Sequence, residues 1–251
     1  MENQKTSEPL NKNLALICGT IIVVCLIAIG AVLYSRSAPS NSANSNTGNN
    51  VGNNVPSQQQ QPNQIAVDIS KVKIDGQPFV GDFNAPVVIA FWSDYQCPFC
   101  KRTEQEVMTQ IYNDYVKTGK AKIVYKDYAF LGADSQTAGW AAKAVWEIAP
   151  NKFYEWDKAM FDKQDSENSG WGSKADILAL TKSLGIDSVK IDQLMKTKVQ
   201  EYQKAMDADK AEGTSFGING TPGTIIGKQF INGAQPYSVF KAAIDQVLNG
   251  K

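Results

Sequence analysis

Hydrophobic and polar positions change pattern several times along the chain, and each pattern predicts a different structure. Residues 14–33 form a run of twenty without a charge, about the length a helix needs to cross a hydrocarbon core. Residues 35–64 are rich in Ser, Asn, Gln, Gly and Pro, a composition that cannot bury enough apolar surface to fold. Alternation at Val67/Ile69 and Val72/Ile74, then a turn signal at Asp75-Gly76, predicts an edge strand or hairpin over residues 65–80. Residues 87–91 are continuously apolar, as in a strand buried on both faces. Val107, Ile111 and Tyr115 recur every four residues, predicting a helix over 98–118 with Pro98 in its first turn and Gly119 at its end. Residues 122–128 read as a second strand, parallel to the first by default.

The period then becomes helical and stays so over about 133–211. Stripes run through Trp140, Ala144, Val145 and Ile148, then through Phe153, Trp156 and Met160. They continue at Ile177, Leu178 and Leu184, and at Ile191, Met195, Val199, Tyr202 and Met206. This is a helical subdomain inserted into a sheet domain, with its tryptophans in the core. Strands at 224–226 and 229–231 face each other across Gly227-Lys228, and a last helix over 237–248 carries Val239, Phe240, Ile244 and Val247 on its apolar side. The organisation expected is a short N-terminus (1–13), a transmembrane anchor or uncleaved signal (14–34), a linker (35–64) and a folded domain (65–251). Thirty flexible linker residues have a root-mean-square span of roughly 30 Å, so the domain works near the membrane.

Charge and composition narrow the function. Lys5 and Lys12 precede the apolar run and Arg36 follows it, a bias toward a cytoplasmic N-terminus and an extracytoplasmic domain. The run exceeds the roughly 7–15 residues of a signal peptide's apolar region, which favours a retained anchor over cleavage near residues 35–37. Cys18 and Cys25, seven apart within it, serve as small apolar residues or form a dimer seam. With 25 basic and 25 acidic residues, nothing points to nucleic acid. Histidine is absent, which excludes hydrolases with an imidazole base and His-ligated metals. Lys101 stands where a haem-attachment motif needs His, and two thiolates alone make a poor zinc site. No metal or cofactor is expected.

The chemistry converges on Cys97-Pro98-Phe99-Cys100. Cys97 falls at the N-terminus of the first helix, where unpaired N–H groups and the positive end of the helix dipole stabilise a thiolate. Cys100, about one turn on, is placed to close a disulfide with it.

The segment Ser93-Asp94-Tyr95-Gln96-Cys97-Pro98-Phe99-Cys100, followed far downstream by Gly220-Thr221-Pro222-Gly223-Thr224, resembles the DsbA-like branch of the thioredoxin superfamily. These are bacterial extracytoplasmic thiol–disulfide oxidoreductases. The resemblance implies an α/β thioredoxin fold, a central mixed sheet flanked by helices, with an inserted α-helical subdomain. It makes Cys97 the exposed nucleophile, Cys100 the shielded resolving partner, and Cys97–Cys100 the redox-active disulfide. Pro98 and Phe99 would tune it. Pro222 would be cis and face the cysteines, leaving the Thr221 backbone free to pair with an extended substrate in a groove shaped by Phe99 and Trp92. Partners implied are reduced or unfolded extracytoplasmic proteins and a membrane quinone-linked oxidant. The chain departs from the family at Phe99, where the best-known oxidases carry His, and at Ala90, where relatives hold a buried acid. Lys126 then lacks its presumed partner and is either solvated or an aid to proton transfer. Asp94 and Gln96 shape the strand-to-helix turn. The function expected is oxidation of cysteine pairs. A reductase or isomerase on the same scaffold, and a redox-inactive peptide-binding holdase, are the alternatives.

Overall fold

A computed structural model describes residues 67–250. The expected anchor (14–34) and linker (35–64) lie outside them, and among the described residues no helix is long and apolar enough to cross a membrane. Five strands form one sheet in the order β1-β3-β2-β4-β5: β1 (Phe79–Val80), β2 (Val87–Ser93), β3 (Ala121–Asp127), β4 (Gly223–Ile226) and β5 (Gln229–Asn232). Only β2 and β3 are parallel; the other neighbours run antiparallel.

The central strand β2 explains the architecture. Val87, Ile89 and Phe91 enter the larger core, whereas Ala90 and Trp92, pointing the other way, enter a smaller one with Val67, Val72, Tyr128, Ile218 and Ile225. A strand that sends apolar side chains both ways must be covered on both faces. The larger core is closed by α1 (98–116) and α7 (Tyr237–Leu248) together with inserted helices. Tyr115 of α1 donates its hydroxyl to Asp245 of α7 at 2.7 Å.

The lead-in differs from expectation. Residues 69–71 make a single 3-10 turn capped by Asp68, and only Phe79–Val80 pairs as a strand. The alternating Val67, Val72 and Ile74 pack instead on the smaller core as an irregular cover for Trp92 and Ala90. The helix α1 also departs from a plain α-helix: Glu104–Met108 and Tyr112–Val116 are π-helical turns flanking Thr109–Ile111. Gly119, at φ +71°, ends the helix.

Five helices fill the interval between β3 and β4. They are α2 (Ala133–Ile148), α3 (Phe153–Lys163), α4 (Lys174–Ser183), α5 (Ser188–Thr197) and α6 (Val199–Ser215). Local chemistry sets several starts: Ser173 and Asp176 form a reciprocal capping box on α4, and Asp187 caps α5. Trp156 is fully buried, with its indole N–H on the Thr181 hydroxyl, so it belongs to the core as expected.

Candidate functional site

Strand β2 ends at Ser93, and four residues carry the chain to Pro98, the first residue of α1. The turn is held by Asp94, which is buried. Its Oδ1 accepts from Gln96 N at 2.8 Å and the Ser135 hydroxyl at 2.6 Å; its Oδ2 accepts from Phe130 N at 2.9 Å and Leu131 N at 3.2 Å. Asp94 therefore does more than shape the turn: it ties the approach to Cys97 to the start of α2. Cys97 N donates to Asp94 O at 3.0 Å, and Cys97 O accepts from Cys100 N and Lys101 N at 3.0 and 3.1 Å, which winds the first turn.

Cys97 is the N-cap of α1, and no side chain occupies the capping position. The opening N–H groups are left to the sulfur. Both cysteines are free thiols in this structure. The Cys100 thiol, as hydrogen-bond donor, does most to pull Cys97 down to about 6 against the effect of burial; the Thr221 side chain and the backbone N–H groups of Cys100 and Phe99 add to it. Burial, then the neighbouring Cys97, pushes Cys100 well above the ordinary thiol range. One sulfur is thus a thiolate at neutral pH and its neighbour keeps its proton.

Across the sheet, the Thr221–Pro222 peptide is cis. Cys97 Sγ lies 3.4 Å from Thr221 O, so residues 124 apart in sequence meet at the site. The register shows how: Trp92 of β2 pairs with Gly223 of β4, and the two segments leave the sheet side by side. Phe99 is 55% exposed, with the Arg102 guanidinium 5.3 Å from its ring centre. Arg102 also lines an open cleft of about 300 Å³, with Thr103, Glu106, Val107, Ala234, Gln235 and Pro236.

Three expectations need correction. Cys97 is not broadly exposed: 4% of its surface is open, because the 221–222 loop covers it, while Cys100 is fully enclosed. Trp92 is completely buried and donates its N–H to Asp209 O at 2.9 Å, so it supports the core rather than a peptide groove. Lys126 is neither solvated nor partnerless. Its ammonium is buried against Asp209 Oδ1 at 2.5 Å and Glu212 Oε2 at 2.9 Å, both from α6. The counter-charge that β2 lacks at Ala90 comes from the insertion.

Sequence reading missed Glu104, Asp157 and Gln164. Tyr95 donates its hydroxyl to the buried Asp157 at 2.6 Å, and the fully buried Glu104 has no hydrogen-bond partner for either carboxylate oxygen among the described residues. Burial, followed by the charge of Asp157, drives Glu104 well above the carboxylate range. Among the described residues, no cluster of three or more His, Cys, Asp or Glu side chains is arranged to hold a metal.

The Thioredoxin family model matches residues 73–246. The chain belongs to the thioredoxin family. Within the thioredoxin family it is homologous to disulfide bond formation protein D of Bacillus subtilis, 26% identical over 181 residues that cover 71% of this chain and 80% of that protein. The crystal structure of oxidised BdbD from Bacillus subtilis matches with a TM-score of 0.67 at 25% identity, covering 74% of this chain and 99% of that one. The thiol-disulfide exchange protein alpha-DsbA2 from Wolbachia pipientis matches with a TM-score of 0.61 at 25% identity, covering 68% and 87%. This thioredoxin-fold chain, with its helical insertion, is thus a homologue of DsbA-like thiol–disulfide oxidoreductases.

Proposed function

We propose that the protein oxidises cysteine pairs of extracytoplasmic proteins through Cys97 and Cys100, working from an N-terminal membrane anchor. The observation that carries this reading is the placement of Cys97 as the N-cap of α1 with no capping side chain, its Sγ 3.4 Å from Thr221 O beside the cis Pro222, while Cys100 is enclosed behind it. In the oxidised form a substrate thiolate attacks Cys97 Sγ and the bond to Cys100 breaks. Cys100 leaves with the electron pair and, given its raised pKa, takes up a proton. The substrate's second cysteine, deprotonated, attacks the substrate sulfur of the mixed disulfide and Cys97 leaves as a thiolate. Two electrons pass from substrate to enzyme, and one proton stays on Cys100. A low-pKa leaving thiol speeds that last step and favours the reduced enzyme, the property of an oxidant. An extended substrate pairing with the Thr221 backbone would bring its sulfur to the narrow opening above Cys97, with Phe99 and the cleft lined by Arg102 taking a neighbouring side chain. Reoxidation falls to a quinone-linked membrane partner.

A Cys97 pKa of about 6 lies between the values of about 3.5 for DsbA and about 7 for thioredoxin. The reduction potential should accordingly lie above thioredoxin's, within the interval from about −120 to −270 mV that the two proteins span, when equilibrated with glutathione. A value near thioredoxin's, about −270 mV, would establish the reductase reading instead. Cys97→Ser and Cys100→Ser should each abolish catalysed oxidation of a reduced substrate while leaving the thermal transition in place. Turnover persisting in Cys97→Ser would overturn this reading, and peptide binding indifferent to loss of both cysteines would favour the redox-inactive holdase. Alkaline carbonate washing of membranes should leave the full-length chain in the pellet if residues 14–34 anchor it.

A further inference from the structure

We propose that Gln164 is a positioning residue for the nucleophile, through which the inserted helices set the reactivity of Cys97. Gln164 follows the last turn of α3 and is buried, its own N–H bonded back to Met160 O and Phe161 O. Its Nε2 donates to Tyr95 O at 2.5 Å and to Cys97 O at 3.2 Å. Its main-chain oxygen accepts from Lys101 Nζ at 2.5 Å. Four residues on, Asn168 N donates to Gln96 Oε1 at 3.0 Å. Residues 95, 96 and 97 are therefore each held by the segment after α3.

The point of attachment matters. Cys97 O already accepts the two N–H groups that define the opening turn of α1. The Gln164 amide is the third donor on that oxygen, and it fixes the peptide plane from which the Cys97 side chain projects. Rotation of this plane would swing Sγ away from the Cys100 and Phe99 N–H groups that stabilise the thiolate. Gln164 Oε1 is buried without a partner among the described residues. A core amide chosen for stability alone would satisfy both ends; here only the donor end is used, and it points at the redox turn.

The inference rests on Cys97 being the reactive sulfur that forms and leaves the mixed disulfide, and the test separates the two. Gln164→Met removes the donor at similar volume; Gln164→Glu sets a carboxylate against two carbonyl oxygens. Iodoacetamide reactivity of Cys97 is followed against pH, and the dithiol–disulfide equilibrium is measured against glutathione at pH 7. Wild type should show a midpoint near pH 6. Both variants should move it up by about one unit, lowering the thiolate fraction at pH 6 about fivefold and shifting the glutathione equilibrium about fivefold toward the disulfide. A wild-type midpoint in the ordinary thiol range would remove the site reading itself. A wild-type midpoint near 6 that neither variant changes would overturn only the role of Gln164. Variants that lose the cooperative thermal transition would assign the residue to stability and overturn it equally.

Discussion

Asp157 stands four residues after Phe153 and four before Phe161, on the apolar stripe of α3, and Glu104 stands four after Cys100 and four before Met108. Carboxylates in such places should end up in the core, and both are fully buried. Helical spacing could have flagged them; it could not show that Asp157 receives the Tyr95 hydroxyl or that its charge acts on Glu104. Burial raises Asp157 to about 7, opposed by the Tyr95 hydroxyl bond. A carboxyl raised from 3.8 in the folded state favours folding while protonated, so stability falls as pH rises through the interval up to about 7. Asp157→Asn keeps an acceptor for Tyr95 without the charge. It should lessen the fall in stability between about pH 4 and 7, to which the raised Glu104 also contributes, and raise Tm at pH 8 by at least about 2–4 °C, the equivalent of about 1 kcal/mol, in calorimetric scans.

At the scale of elements, α6 is the helix that joins the insertion to the sheet. Tyr202, Met206, Asp209 and Gly213 recur at threes and fours along its inner side. The apolar stripe fades after Met206, which is why the period alone ends the insertion near 211. The helix runs on to Ser215 because Asp209 and Gly213 have partners that only the fold supplies. A Cβ on Gly213 would come within 2.8 Å of Trp92 Nε1, so the close approach of α6 to β2 needs glycine. Asp209 Oδ1 meets Lys126 at 2.5 Å, and Oδ2 meets Lys143 at 3.0 Å. Asp127 and Asp209 together outweigh burial and lift Lys143 to about 12. Asp209→Ala leaves two buried ammonium groups short of a counter-charge and should cost about 3–5 kcal/mol in urea unfolding. A loss under about 1 kcal/mol would mean that water or side-chain movement compensates.

For the whole molecule, the redox state and the stability of the fold are linked through one proton. The thiolate of Cys97 is held in the folded dithiol form and has no counterpart in the disulfide. Its folded pKa of about 6 lies below the ordinary 9.0, so its contribution is full above pH 9 and is lost as pH falls through 6. The reduced protein should therefore lose Tm relative to the oxidised protein as pH drops from 8 to 5. Asp157 and other carboxyls present in both forms largely cancel in that difference. A difference independent of pH would remove the stabilised thiolate from the account.

Much of this was local and thus legible in the chain itself. Val87 to Phe91 had to be a doubly covered strand because it is apolar without alternation, and Pro98 beside Cys97 had to open a helix because proline gives up only an N–H that the first turn leaves unpaired. Those two facts by themselves put a cysteine at a helix N-terminus. The meeting of Cys97 with Thr221, the burial of Lys126 against α6 and the hold of Gln164 on the redox turn depend on pairs 124, 83 and 67 residues apart. No periodicity encodes such separations. Strand register and helix packing decide them, because only the closed fold brings donor and acceptor within hydrogen-bonding reach and strips away the water that would otherwise satisfy each one alone.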